Sequence, residues 1–297
     1  MFIVLGNVAV DETMQSPLLP ARGATVLVGP AVRDLGGKGA NQAIVLARAT
    51  TDVRLVATIG SDDTARWIAA ALAEEGLDPA HLIRVPGASD RSLVFVGPDG
   101  DNAIASTSQC SDALSPAHAE AALRGAQPGD VLLLQGGCTV DTNRAAIAAA
   151  KARDMRIVFN PSAMREGFDT LLAGVDLVVA NAGEAAELVG DGAPLEQAER
   201  LVARGVGDAV VTLGARGSVA AGRGGQHAVP AVQAPVRDTT GAGDTYLAVL
   251  AAARFMHGAP LAAAMAWASA AAAITVGRPG TRAAFPSRAE LAAIAGK

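Results

Sequence analysis

Four short, almost wholly apolar runs punctuate the middle of this chain: VLLLQ at 131–135, RIVFN at 156–160, DLVVAN at 176–181 and DAVVTLG at 208–214. Runs of this length, rich in Val and Leu and without polar alternation, fit strands buried on both faces. Helical patterns lie among them, over about 141–153 and between 181 and 208. Strands joined through helices pair in parallel, with the helices covering both faces of the sheet. An N-terminal strand over Phe2 to Val10, a strand at 53–59 and helices at 40–49 and 62–75 extend the same rhythm upstream. The last third reads as helical, over about 242–257, 260–275 and 287–295.

Two segments break this rhythm. Residues 23–35 read as two short strands around Gly29-Pro30. Residues 92–96 and 102–106 flank Pro98-Asp99-Gly100, a strong hairpin signal centred on Asp99-Gly100. Together they predict a small antiparallel sheet beside the main one, placed as a lid. The 297 residues are read as one α/β domain over 1–297, with lid segments at about 11–35 and 90–106. The fold class expected is thus a mostly parallel central sheet flanked by helices, with a small β-sheet lid.

Composition excludes several function classes. A net charge of -5 and 3% aromatic residues argue against a phosphate-backbone binder or a base-stacking platform, so no nucleic-acid partner is expected. Cys110 and Cys138 are two lone cysteines without metal-site spacing, which suits reduced thiols in a cytoplasmic protein. MFIVLGNVAV lacks a basic leader and reads as a strand rather than a signal peptide. The apolar stretch 261–276 is mostly Ala and short for a membrane span, so no membrane partner is expected either.

The chemistry concentrates at glycine-rich junctions. Asp238-Thr239-Thr240-Gly241-Ala242-Gly243-Asp244-Thr245 precedes a helical run. Small residues at a helix start expose backbone N–H groups to an anion, and the helix dipole favours it there. Asp244, in the same first turn, can take a proton from an attacking hydroxyl; the same residues also fit a capped turn. Gly36-Gly37-Lys38-Gly39-Ala40-Asn41-Gln42 opens another helix. It is no nucleotide P-loop, because Val32 and Gly39 stand where Gly and Ser or Thr are required. Lys38 and Asn41 can instead bond a polyhydroxylated ligand. Asn181 and Glu184, three apart at a strand end, suit metal-bound water or phosphate, or equally a capping box. Thr212-Leu213-Gly214-Ala215-Arg216-Gly217 follows another strand end, where ligands bind in parallel sheets.

GGKGANQA at 36–43 and DTTGAGDT at 238–245, in this order and spacing, resemble the two signatures of the ribokinase-like (phosphofructokinase B) carbohydrate kinases, and the likeness spans nearly the whole chain. The resemblance implies an ATP-dependent sugar kinase closest to the ribokinase branch, acting on a pentose such as ribose or a related sugar. It implies that Asp244 is the base and that Gly241, Ala242 and Gly243 form the anion hole. Asp11, Gly37, Lys38, Gly39 and Asn41 would hold the sugar. Asn181 and Glu184 would place magnesium and phosphates, and Thr212, Gly214 and Gly217 would line the ATP site. Asp238 and the Thr240 carbonyl would be candidates for a monovalent cation such as potassium, and the lid could form a homodimer. Three positions depart from the pattern. Ala9 and Gly137 stand where ribokinases carry Asn and Glu against ribose, and Ala284 stands where a Ser helps the cation. A nucleoside kinase of the same fold is the alternative, although the lid segments carry only Phe95 as an aromatic shelf. A sugar-binding sensor that has lost catalysis is a second alternative, against which the intact Asp244 and Glu184 argue.

Overall fold

The computed structural model describes residues 1–19, 21–23, 25–50, 52–97 and 102–296. Among these the chain runs β1 (Phe2–Leu5), β2 (Ala9–Gln15), β3 (Val32–Gly36), α1 (Lys38–Ala49), β4 (Val53–Ile59), α2 (Asp63–Glu74), β5 (Leu82–Arg84), β6 (Arg91–Val96) and β7 (Asn102–Ser106). It continues through α3 (Gln109–Asp112), α4 (Pro116–Ala122), β8 (Val131–Gln135), α5 (Val140–Lys151), β9 (Arg156–Asn160), β10 (Leu177–Asn181), α6 (Ala182–Val189) and α7 (Pro194–Ala203). Strands β11 (Asp208–Thr212), β12 (Ser218–Gly222) and β13 (Gly225–Val229) precede α8 (Ala242–Phe255), α9 (Leu261–Val276) and α10 (Arg288–Ile294).

The main sheet has the order β13-β12-β11-β10-β9-β8-β1-β4-β5. It is parallel from β11 to β5, and β12 and β13 add an antiparallel edge. Successive residues of β1 enter opposite cores, as the twofold period of a strand requires. Phe2 and Val4 pack with the apolar sides of α1, α2, α8 and α9. Ile3 and Leu5 pack with Leu123, Ile147, Leu188 and Leu201 from the other helical layer. Helix α9 fills the stretch singled out for its apolarity, and it is built against α8 rather than long enough to cross a membrane.

The expected single strand over 2–10 divides in two. Beyond Leu5 the chain crosses the start of α1, and a helix start presents N–H groups that have no partner within the helix. The Asn7 carbonyl accepts from the Ala40 N–H at 3.0 Å, and Asn7 Oδ1 accepts from the Gly39 N–H at 3.2 Å. Residues 6–8 thus serve the helix instead of extending a ladder, and β2 re-forms in a second sheet of order β3-β2-β6-β7. The β6–β7 pair is antiparallel, as expected, and so is β2–β3, but a parallel pairing of β2 with β6 joins the two. The region 25–31, expected to carry a strand, has no regular structure, and the partner of β3 is β2. Asp99-Gly100 lies outside the described residues. The β12–β13 hairpin was not visible as a strand pair because its Gly and Ala residues carry little strand preference.

The crossing of residues 6–8 over α1 leaves no room for a side chain at Gly6. A Cβ there would overlap the Gln135 side chain and lie 3.0 Å from Gly39 Cα. Gly6→Ala is therefore expected to destabilise the fold by about 1–3 kcal/mol through overpacking, measured as a lower urea midpoint with unchanged slope.

Candidate active site

Two cavities open at the C-terminal ends of the parallel strands, where crevices form in such sheets. The larger, about 730 Å³, lies between the main and small sheets; Asp11, Lys38, Asn41, Ser92, Thr240 and Asp244 are among its lining residues. The smaller, about 310 Å³, has Thr212, Gly214, Gly217, Val232, Tyr246 and Val276 in its wall. Thr239 and Gly243 belong to both linings. The first turn of α8 is therefore the partition, with Ala242 facing the smaller cavity and Asp244 the larger.

Gly241 caps α8 in a left-handed conformation with φ 75°. A Cβ there would stand 2.6 Å from the Phe285 ring, so both conformation and space call for glycine. Nothing lies within 4 Å of the Cβ position at Gly243, which leaves the backbone open to a ligand. The Ala242 N–H leans on the Thr239 carbonyl at 3.3 Å, so the N–H groups of Gly243 and Asp244 are the better anion donors of this turn.

Asp244 is buried, at 5% exposure. Its Oδ2 accepts from Asn41 Nδ2 and its Oδ1 from Gln42 Nε2, each at 2.9 Å. The two glycine-rich segments, two hundred residues apart, are thereby brought into contact through α1 and α8. Asn41 lines the larger cavity, yet its Nδ2 is committed to Asp244 and its Oδ1 is buried without a protein donor.

Asp11 projects from β2 into the same cavity. Burial is the strongest influence on it and pushes its carboxyl above the usual carboxylate range. A hydrogen bond with Ser92 opposes that shift, while the charges of Asp34 and Asp244 add to it. Gly37 and Lys38 line the cavity too, whereas Gly39 packs behind it against Asn7. The departures noted in the sequence have a structural counterpart. Ala9 is buried, and a Cβ at Gly137 would lie 2.7 Å from the Asn7 side chain, which itself lines the cavity. Asn7, Ser92, Ser111 and Arg165 escaped the sequence reading because they lie on four separate segments without a motif.

Asn181 and Glu184 line neither cavity. They form a capping box on α6, with Asn181 Oδ1 accepting from the Glu184 N–H and Glu184 Oε2 from the Asn181 N–H, both at 2.9 Å. Asn181 nevertheless pairs in register with Thr212, in the wall of the smaller cavity. Asp238 also lies outside both linings. Its carboxylate accepts from the N–H groups of Thr240 at 2.9 Å and Gly280 at 3.1 Å, bracing the loop before α8. Cys110 and Cys138 are free and buried, and burial pushes their thiols up to about 11 and about 12.

A doubly covered parallel sheet, a small second sheet and two cavities meeting at a glycine-rich helix start define the class of ribokinase-like α/β proteins. A ribokinase from Thermotoga maritima superposes with TM-score 0.89 at 25% identity, covering 100% of this chain and 99% of its own. An Arabidopsis thaliana ribokinase solved with ribose and ATP superposes with TM-score 0.84 at 27% identity, covering 99% and 97%. In sequence, ribokinase from Haemophilus influenzae is 28% identical over 97% of this chain and 95% of its own length. The chain belongs to the pfkB family of carbohydrate kinases, whose model matches residues 4–288.

The raised carboxyl of Asp11 has a consequence for stability. Its charged form is disfavoured in the native state, so the cost is full at neutral pH and vanishes once Asp11 is protonated in folded and unfolded chains alike. Asp11→Asn is expected to raise the thermal midpoint at pH 7, with the gain shrinking as pH falls through the carboxylate range. Differential scanning fluorimetry across pH 3–8 checks this.

Proposed function

We propose that this chain is an ATP-dependent sugar kinase that moves the γ-phosphoryl of Mg-ATP to a sugar hydroxyl, with Asp244 as general base. The observation that carries the reading is the shared partition: one helix turn borders both cavities and puts a buried carboxylate in one. The sugar lies in the larger cavity, among Asp11, Gly37, Lys38 and Asn41, with Gly39 behind them. The nucleotide lies in the smaller one, along Thr212, Gly214 and Gly217. Asp244 takes the hydroxyl proton as its oxygen attacks the γ-phosphorus. The bond to the β,γ-bridging oxygen breaks, and ADP leaves. Gly241 shapes the anion hole, and the N–H groups of Gly243 and Asp244 stabilise the transferring group.

Magnesium enters with ATP, and Glu184, in the first turn of α6 just beyond β10, is the carboxylate that would stand beside its waters; only its Oε2 is engaged, by the Asn181 N–H. The residues fit potassium less well: both oxygens of Asp238 already accept N–H bonds, and Ala284 offers no hydroxyl. A pentose or related sugar is the favoured substrate. Among the described residues no aromatic side chain lines the larger cavity, which counts against a nucleobase shelf and a nucleoside substrate. The small sheet acts as the lid that excludes water from the transferring phosphoryl group. A cytoplasmic setting suits the two reduced thiols.

Asp244→Asn is expected to retain sugar binding and to cut turnover by about 10²–10⁴-fold, the range for loss of a positioned base. Steady-state ADP release checks this, and near-normal turnover would remove Asp244 from the base role. Leu18, Leu27, Val32 and Ile104, large apolar residues exposed on or beside the small sheet, support a homodimer formed through it. Light scattering is expected to give a dimer mass for the natural chain and a monomer mass for Leu27→Asp/Val32→Asp. A monomeric natural chain rejects this interface.

A further inference from the structure

Gln42 is fully buried, and the sequence motifs give it no task. Its surroundings do. Asn160, the last residue of β9, donates from Nδ2 to the Val179 carbonyl at 2.9 Å. A carbonyl can only accept, so this bond fixes which way the Asn160 amide is turned. Asn160 Oδ1 then faces Gln42, whose Nε2 lies 3.4 Å from it and 2.9 Å from Asp244 Oδ1. Both neighbours are acceptors, so the Gln42 amide has one satisfactory orientation. Its Oε1 is turned away and has no protein donor.

We propose that Gln42 is a positioning residue for the general base, the middle member of an amide relay running from the β10 backbone through Asn160 to the Asp244 carboxylate; this rests on the sugar-kinase reading above. Asn41 holds Oδ2 from the sugar side, and Gln42 holds Oδ1 from the sheet side. Two donors on different oxygens fix the plane of the carboxylate, and so the direction of the oxygen that meets a sugar hydroxyl. The relay is anchored to a central strand and is independent of the sugar, because neither Gln42 nor Asn160 lines the larger cavity. A buried amide with one half unsatisfied is a poor choice for packing alone, and an apolar side chain of equal length would suit the core as well. The carboxylate is what calls for glutamine.

The test uses Gln42→Met, which keeps the length and removes the donor. ADP release is followed with Mg-ATP and D-ribose, 2-deoxy-D-ribose or D-fructose. The expected result is a fall in kcat of up to about 10²-fold, the scale for a misplaced reacting group. KM for sugar and ATP should stay near the natural values, while the urea midpoint should fall modestly, because the buried carboxylate loses one of its two donors. In an Asp244→Asn background the same substitution should give no further loss, since the group it positions is gone. Gln42→Asn, which keeps an amide too short to reach Asp244, should show the same kcat loss and guards against misfolding of the Met variant. Natural kcat in Gln42→Met, a kcat loss repeated in full without Asp244, or a loss that follows stability would overturn the relay. Absence of ADP release by the natural chain with all three sugars would instead overturn the kinase reading, and the relay with it.

Discussion

A carboxylate taken out of water needs partners, and Asp244 finds them on a helix that the chain made two hundred residues earlier. This pairing governs much of the molecule. It presses the start of α1 against the start of α8, and so brings GGKGAN and TTGAGD to one crevice. On its other side the start of α1 is crossed very closely by the chain between β1 and β2, which Gly6 and Gly39 permit. The same crossing supplies Asn7 as acceptor for the first N–H groups of α1. Fold and site are therefore not separable here: the contacts that seat the helix also assemble the cleft.

Most of the main sheet was legible because its strands are buried on both faces and read as unbroken apolar runs. Strand β2, AVDETMQ, carries no such signature. Its polar residues reach the cavity and solvent, and its place is set by pairing with β3 and β6, partners that local sequence does not reveal. The division of residues 2–10 was hidden for a related reason. The run is continuous in hydrophobicity, and what breaks it is the demand of a distant helix start for acceptors.

The site was legible where chemistry is local. Gly241, Gly243 and Asp244 share one helix turn, so their proximity can be read from spacing. Asn41 lines the larger cavity, and its commitment to a carboxylate on another helix could not be seen in sequence. Gln42 and Asn160 act through three-dimensional neighbours alone. Asn181 and Glu184 show the converse: their spacing fits both a capping box and a ligand site, and the structure forms the capping box.

The small sheet also couples the two sides of the larger cavity. It is sewn from two separate excursions of the chain, β2–β3 before α1 and β6–β7 after β5, and it carries Asp11 on β2 while Asp244 sits on α8. Any change in the inclination of this sheet therefore moves one carboxylate of the cavity relative to the other. The spacing between the two is a mechanical variable of the fold, and a ligand spanning both would act as a gauge block that sets the angle between the sheets.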